Sequence, residues 1–503
     1  MDATSGNDRN NGLSESTAWK TIAKVNASSF IPGDSILFKR GETWREGLAV
    51  PSSGSNGHPI TFGAYGSGNK PKITGANSIL GGSGDWANQG SNIWRKNIGT
   101  ITPNVVIFDA TVTGNNNASL AAKYNWRYRS PNLDVYSVGN PTSYYTSIEA
   151  GQRNYAIQVW VKSYITIQNL DLRGANTRTI DIYSTNDHHK IQNCNIQNTF
   201  MGIGASDTVT GNITIENNEI HDTVEYGILF VRATALNNMI SGNTIYNIGG
   251  KGGASSNECG IYATFSNSTI TQNTIHNCGS HANTDHAIYL TNSDTITISR
   301  NKIYTNLNVG IKVSNSDTVN VYYNLLYDNG VGIRVEIGTP SAINIYNNTI
   351  ANNGSNGQGI RIDLGDNIIV KNNIVYNITY GVDSGKYSLV VDAAVTNFSS
   401  DYNLYYHPSG GNLIYWHGTP YRVAEFNSET GNEAHGLSKN PGFVNASAND
   451  FRLVSSSPCK DAGYNVGLTQ DYGGSSVPMG SGVDIGALEY VIAATKGLRI
   501  VSP

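Results

Sequence analysis

The sequence predicts an all-β chain folded as a parallel β-helix, a solenoid of stacked coils, and three observations carry the prediction. The element I-x-x-N-x-I returns as ITIENNEI, MISGNTI, TITQNTI, ITISRNKI, VNVYYNLL, INIYNNTI and IIVKNNIV, with its asparagine at Asn218, Asn243, Asn273, Asn301, Asn324, Asn348 and Asn373. A second frame returns between these as GIGA, GILF, GIYA, AIYL, GIKV, GIRV and GIRI, anchored at Gly202, Gly227, Gly260, Ala287, Gly310, Gly332 and Gly359. Spacings of 23 to 30 residues fit one supersecondary unit per turn, and short alternating runs between Asn/Gly bends fit strands rather than helices.

In chain order, residues 1–45 read as an N-terminal cap. Within SESTAWKTIAKVNAS, residues 14–28, Trp19, Ile22 and Val25 recur at helical spacing behind a Ser/Thr cap, which predicts a short amphipathic helix. Residues 46–154 carry the first strands and then an aromatic-rich insertion containing Trp86, Trp94, Trp126, Tyr128, Tyr136, Tyr144 and Tyr145; burial is the expected fate of most of these rings. Residues 155–380 are the regular coils. Their asparagines are expected in the bends, where Asn tolerates unusual backbone angles and its amide can bond to the next coil, so the column is structural. Residues 381–503, where the repeat decays, read as an irregular C-terminal cap over the exposed end of the core, and the whole chain reads as one domain.

Composition narrows the function. Of 503 residues only 14% are charged, the formal net charge is -4, and no Lys/Arg cluster is present, which argues against a nucleic-acid partner. No run of about 18 apolar residues exists, so no membrane span is expected. Cys194, Cys259, Cys278 and Cys459 are too scattered for a disulfide framework or a CxxC metal site, and buried free thiols are expected. The opening MDATSGNDRN has no apolar signal region; a Met directly before a polar, mature-looking sequence fits an expression start after a removed leader.

The segments SGNDRNNGLSESTAWKTI and GDSILFKRGETWREGL, the I-x-x-N-x-I coils, and the tail NPGFVNASANDFRLVSSSPCKDAG with DIGALEY together resemble the secreted right-handed parallel β-helix proteins of bacteria, the pectate-lyase-like superfamily. The resemblance covers nearly the whole chain. It implies a right-handed helix, secretion, a polysaccharide or oligosaccharide substrate, and either glycoside hydrolase or polysaccharide lyase chemistry; a monomer is expected.

Alternation along the second frame places candidate site residues. With each frame Ile pointing inward, the position two before the frame Gly holds Glu225, Glu258, Asp285 and Asn308, and the position two after it holds Tyr262, Tyr289, Lys312, Arg334 and Arg361. Carboxylates on neighbouring coils would stand about 4.8 Å apart, and on alternate coils about twice that. Those spacings suit a retaining glycosidase, at roughly 5 to 5.5 Å, and an inverting one, at roughly 6.5 to 9.5 Å. The first reading is therefore hydrolysis without a cofactor, with Asp285 as nucleophile or base, Glu258 as acid, Glu225 beside them, and Tyr262 and Tyr289 orienting carboxylates or sugar hydroxyls. The second is elimination, with Glu225, Glu258 and Asp285 holding Ca²⁺ against a uronate while Lys312 or Arg334 takes the C5 proton. Basic Lys312, Arg334 and Arg361 would suit acidic substrates, and His281, in the loop before Asp285, could donate to substrate. A third reading is a non-catalytic carbohydrate-binding solenoid. Glu336 and Asp363 form a further acidic pair whose default explanation is salt bridging to Arg334 and Arg361.

Overall fold

A computed structural model of the chain describes residues 1–491 apart from 184–187, 206–209, 253–257, 281–283, 355–356 and 379–385, together with the backbone alone of 232–234. Contacts divide it into two compact units, residues 1–297 with 303–317, and residues 298–302 with 318–503.

In the first unit each coil supplies three short strands, and three parallel ladders result. The first aligns Ile180, Ile203, Ile228, Ile261, Ile288 and Ile311, rung by rung. The second aligns Ile167, Ile191, Ile215, Ile240 and Ile270. The third aligns Ile73, Leu172, Ile196, Ile220, Ile245 and Ile275. All these side chains are buried, so the three columns are the core. Burying one such side chain stabilises by about 1.5–3 kcal/mol, and a one-residue slip would turn a whole strand's apolar set to solvent. The repeat therefore fixes its own register.

The asparagine column runs through the bends as expected. Asn218 donates its side-chain amide to Asn243 Oδ1 at 3.0 Å, and Asn243 donates to Asn273 Oδ1 at 3.0 Å. Each acceptor oxygen also takes the backbone N–H of the preceding Asn, at 3.0 Å in both steps. The unusual backbone angles, however, fall one residue earlier than the sequence reading placed them. Positive φ occurs at Asn217 (54°), Gly242 (64°) and Gln272 (57°), not at the column itself. The left-handed residue makes the corner, which frees the following Asn to aim both its N–H groups along the stack.

The amino-terminal helix is shorter than the periodicity implies, spanning Ile22–Asn26 behind a separate 3₁₀ turn at Glu15–Thr17. Between them the chain is held extended because Asp8 accepts from the N–H groups of Lys20 (2.8 Å) and Thr21 (3.0 Å). Thr21 then caps the helix by accepting from Lys24 N at 3.1 Å. The aromatic insertion forms two small sheets, mostly antiparallel, around a core of Trp86, Phe108, Trp126, Leu133, Val135, Tyr145 and Ile148. Packing, not display, is the work of most of its rings.

In the second unit the corresponding ladders align Ile333, Ile360, Leu389 and Ile414, then Ile343, Ile368 and Phe398, then Ile350, Val375 and Tyr405. Its asparagine column passes from Asn301 through Asn324, Asn348 and Asn373 to Asn403, with side-chain steps of 2.9–3.0 Å. The column ends on Glu433, which accepts from Asn403 Nδ2 at 2.7 Å and Asn403 N at 3.2 Å. A helix at Val423–Thr430 precedes Glu433, and Gly431 stops it with φ 75°. The irregular tail closes on itself, Glu489 accepting from Met479 N and Asp484 N and Asp471 accepting from Glu489 N and Ser475 N. All four cysteines are free and buried.

Candidate active site

The outward frame position of the first unit lies where alternation puts it. Tyr262, Tyr289 and Lys312 stand on consecutive rungs of the strands Cys259–Thr271, His286–Thr291 and Val309–Ser314. The two tyrosine rings are half-buried and meet edge to face at 4.9 Å, and Lys312 Nζ sits 4.6 Å from the Tyr289 ring centre. Lys312 itself is only 7% exposed, so the expected basic surface group is a packed one.

The acidic position behaves differently from the sequence expectation. Glu258 and Asp285 do sit on adjacent coils, but they are 1% and 0% exposed. Asp285 Oδ1 accepts from Glu258 N at 2.9 Å and Thr284 Oγ1 at 3.1 Å, and Oδ2 accepts from Ser280 N at 2.7 Å. Glu258 Oε2 accepts from Gly250 N at 3.0 Å and Ser280 Oγ at 2.6 Å. The turns at Gly249 and Gly279 lie directly over these carboxylates, so close that a Cβ on either glycine would clash with the acid beneath. Both have positive φ, 89° and 95°, and only glycine makes this covering turn without strain. Glu258 and Asp285 are thus buried rather than solvent-facing, and each braces a turn.

Glu225 keeps some exposure. Burial, and then the Glu258 carboxylate, push its carboxyl up to about 7. His286, in register with Cys259 and Val309, is 1% exposed and meets the Tyr289 ring edge to face. His281 lies outside the described residues. Asp285 gives both oxygens, and Glu258 its Oε2, to N–H and hydroxyl groups of the protein. Among the described residues no group of three or more His, Cys, Asp or Glu side chains is placed to hold a metal ion.

In the second unit the same outward positions carry a charged face that reaches solvent. Arg334 and Arg361 share a rung, and Ile362 pairs with Val391; the register shifts before Leu364, and Asp363 and Asp392 meet there through a side-chain hydrogen bond between adjacent coils. Arg334 bonds Glu336 at 2.6 Å and Asp363 at 2.8 Å. Arg361 bonds Asp363 through Nε and lies 3.5 Å from Asp392. The salt-bridged default for Glu336 and Asp363 is what the structure shows, with Arg334 and Arg361 as its cations.

The two aspartates nevertheless differ. Burial works to raise Asp363, but Arg334 and then Arg361 outweigh it and hold this carboxyl below its ordinary value. Asp392 is pushed above its ordinary value by burial first and then by a hydrogen bond with Asp363, against the pull of Arg361. Its side chain is 37% exposed, against 15% for Asp363. One carboxyl held below its ordinary value beside one pushed above it is the kind of asymmetry that separates nucleophile from acid. Sequence reasoning missed Asp392 because the repeat decays after Tyr380. The signal was present: IRVE, IRID and LVVD put Glu336, Asp363 and Asp392 at one frame position on three consecutive coils.

Residues 155–282 and 237–397 match the family described as the right handed beta helix region. Across 97% of this chain and 99% of the other, the structure superposes on the solved complex of XylC with xylose with a TM-score of 0.65 and 15% identity. The fold is the right-handed parallel β-helix. The solved structure of pectate lyase Pel9A is also similar, with a TM-score of 0.49 and 15% identity over 98% of this chain and 96% of that one. By sequence, 261 residues, 47% of this chain, are 26% identical to lacto-N-biosidase of Bifidobacterium longum subsp. longum. The matched stretch spans 16% of that protein's length.

Proposed function

We propose that the protein is a carbohydrate-active enzyme that hydrolyses glycosidic linkages of a polysaccharide or oligosaccharide, with Asp363 as nucleophile and Asp392 as general acid and base. The carrying observation is the Asp363 and Asp392 pair on adjacent coils, its members shifted in opposite directions. The two carboxyls share a hydrogen bond on coils about 4.8 Å apart, so a side-chain rotation would have to part them to reach the roughly 5 to 5.5 Å of retaining enzymes. The Asp363 carboxylate would attack the anomeric carbon as the glycosidic C–O bond breaks and Asp392 gives its proton to the leaving oxygen. Water, giving a proton back to Asp392, would then displace Asp363 from the sugar. Arg334 and Arg361 keep Asp363 ionised and fix its orientation. The likeness to a protein named lacto-N-biosidase supports hydrolysis over elimination.

The test is incubation with neutral and uronic poly- and oligosaccharides, with and without chelator, reading new reducing ends and the ultraviolet absorbance of unsaturated products. Reducing ends without absorbance, lost in Asp363→Asn and Asp392→Asn, support the reading. Chelator-sensitive absorbance would replace it with elimination, and binding without any product would make the β-helix a carbohydrate-binding scaffold.

A further inference from the structure

Each acid of the outward column in the second unit is followed directly by an aliphatic residue: Ile337 after Glu336, Leu364 after Asp363 and Ala393 after Asp392. Leu364 is half-buried, Ala393 is exposed, and Ile337 is 54% exposed. An aliphatic rim therefore borders the salt-bridged groups Arg334, Arg361, Glu336, Asp363 and Asp392. Ligand sites are lined mainly by apolar groups, with a few polar ones to fix orientation. The rim supplies the apolar part that the charged groups lack.

Ile337 is the outlier of this rim. Its φ is 62°, in the left-handed region, where a β-branched side chain crowds the backbone. Counted five residues on from the frame Gly or Ala, the same corner is held by Asn292 (φ 47°) and Asn315 (φ 42°). Asparagine is a residue that tolerates this conformation. An isoleucine that is strained and more than half exposed serves neither the backbone nor the core, and strain held beside reactive groups points to a use there.

We propose that Ile337 is a specificity-determining residue of the Asp363 and Asp392 site, an apolar wall against which the C–H face of the bound sugar ring packs. The inference rests on the hydrolytic reading of that pair. A pyranose carries most of its hydroxyls around the ring edge, so the wall favours a ring that turns hydrogens to it over one that turns an axial hydroxyl. The contact lies on the ring and not on the breaking bond; it acts through binding.

The test is steady-state kinetics of the full chain on p-nitrophenyl glycosides of glucose, xylose, galactose and mannose, with thermal midpoints taken on the same samples. Ile337→Asn should raise KM about tenfold and leave kcat within about twofold, with a midpoint at or above that of the original chain. Ile337→Val keeps both wall and strain and should match the original chain. Val161 is the control: it stands at the same count from Ala156, with φ 53° and 57% exposure, but follows Trp160 instead of an acid. Val161→Asn should leave KM unchanged. A KM unmoved in Ile337→Asn, while Asp363→Asn and Asp392→Asn abolish turnover, overturns the wall and leaves the pair standing. Turnover surviving in both Asp variants overturns the pair and the wall with it. A lowered midpoint with activity lost in proportion makes Ile337 a packing residue and overturns the proposal as well. If the original chain turns over none of the four, calorimetric titration with cellobiose, xylobiose and lactose decides: binding weakened about tenfold by Ile337→Asn and not by Val161→Asn upholds the wall, and any other result overturns it.

Discussion

Asp285 accepts the backbone N–H of Glu258 at 2.9 Å, so the carboxylate of one coil closes the turn of the coil before it. A second oxygen on Ser280 N makes Asp285 a brace across three chain segments. Asp285→Ala should therefore cost about 2–4 kcal/mol by stranding two buried N–H groups. Asp285→Asn, which keeps one acceptor, should cost less. Chemical denaturation checks this; an unchanged midpoint in Asp285→Ala would return the residue to the list of catalytic candidates.

Asn348 is fully buried, and its Oδ1 serves both the backbone and the side-chain N–H of Asn324, each at 3.0 Å. Asn348→Ala strands both donors and removes the three bonds that its own amide makes to Val321, Tyr346 and Asn373. A loss of about 3 kcal/mol or more is expected. Asn344→Ala, on a half-buried outward position, should cost well under half of that in the same experiment.

Glu433 gives the protein a pH dependence. Burial pushes its carboxyl up to about 7 despite bonds from Ser400, Asn403 and Tyr405. Between the ordinary glutamate value, about 4.5, and about 7 the folded chain keeps this proton and the unfolded chain does not. Stability should then fall as pH rises through that window, by up to about 3 kcal/mol for this group. Glu225 and Glu489, both also raised to about 7, act in the same direction. Glu433→Gln keeps a carbonyl acceptor for Asn403, so it should flatten part of this decline in denaturation curves taken from pH 4.5 to 8.

For the proposed hydrolysis, Asp363→Asn and Asp392→Asn should each lower kcat by at least about a thousandfold while both proteins stay folded. Their pH profiles should distinguish them from a structural effect. The acid limb belongs to Asp363, held low by Arg334, so Arg334→Gln should move that limb upward. A uniform loss of activity without movement of either limb would assign Arg334 to folding alone.

The coils were legible because every third of a turn repeats an inward isoleucine, and the register of Tyr262, Tyr289 and Lys312 followed by counting alternate residues. Exposure was not legible in the same way. Alternation says which side of a strand Glu258 and Asp285 leave from, but the turns at Gly249 and Gly279 fold over that side, and no periodicity reports where a loop lies down. Asp392 escaped because its coil reads LVVD, without the Gly-Ile anchor by which its neighbours were recognised. The amino-terminal helix was overextended because a capping Thr and helical spacing cannot show that Asp8, twelve residues earlier than Lys20, claims the N–H groups first.

The asparagine column of the second unit has a sense of direction. From Asn301 to Asn403 each side chain passes its amide hydrogens forward, and from Asn324 onward each receives on its oxygen from behind, so the amide dipoles line up head to tail. Their positive ends converge on Glu433, much as backbone dipoles converge on the start of an α-helix. A carboxyl at that place, rather than another asparagine, receives both N–H groups of Asn403 on its two oxygens and has no amide hydrogens to pass on, and so marks where a pattern that could otherwise continue indefinitely is told to stop.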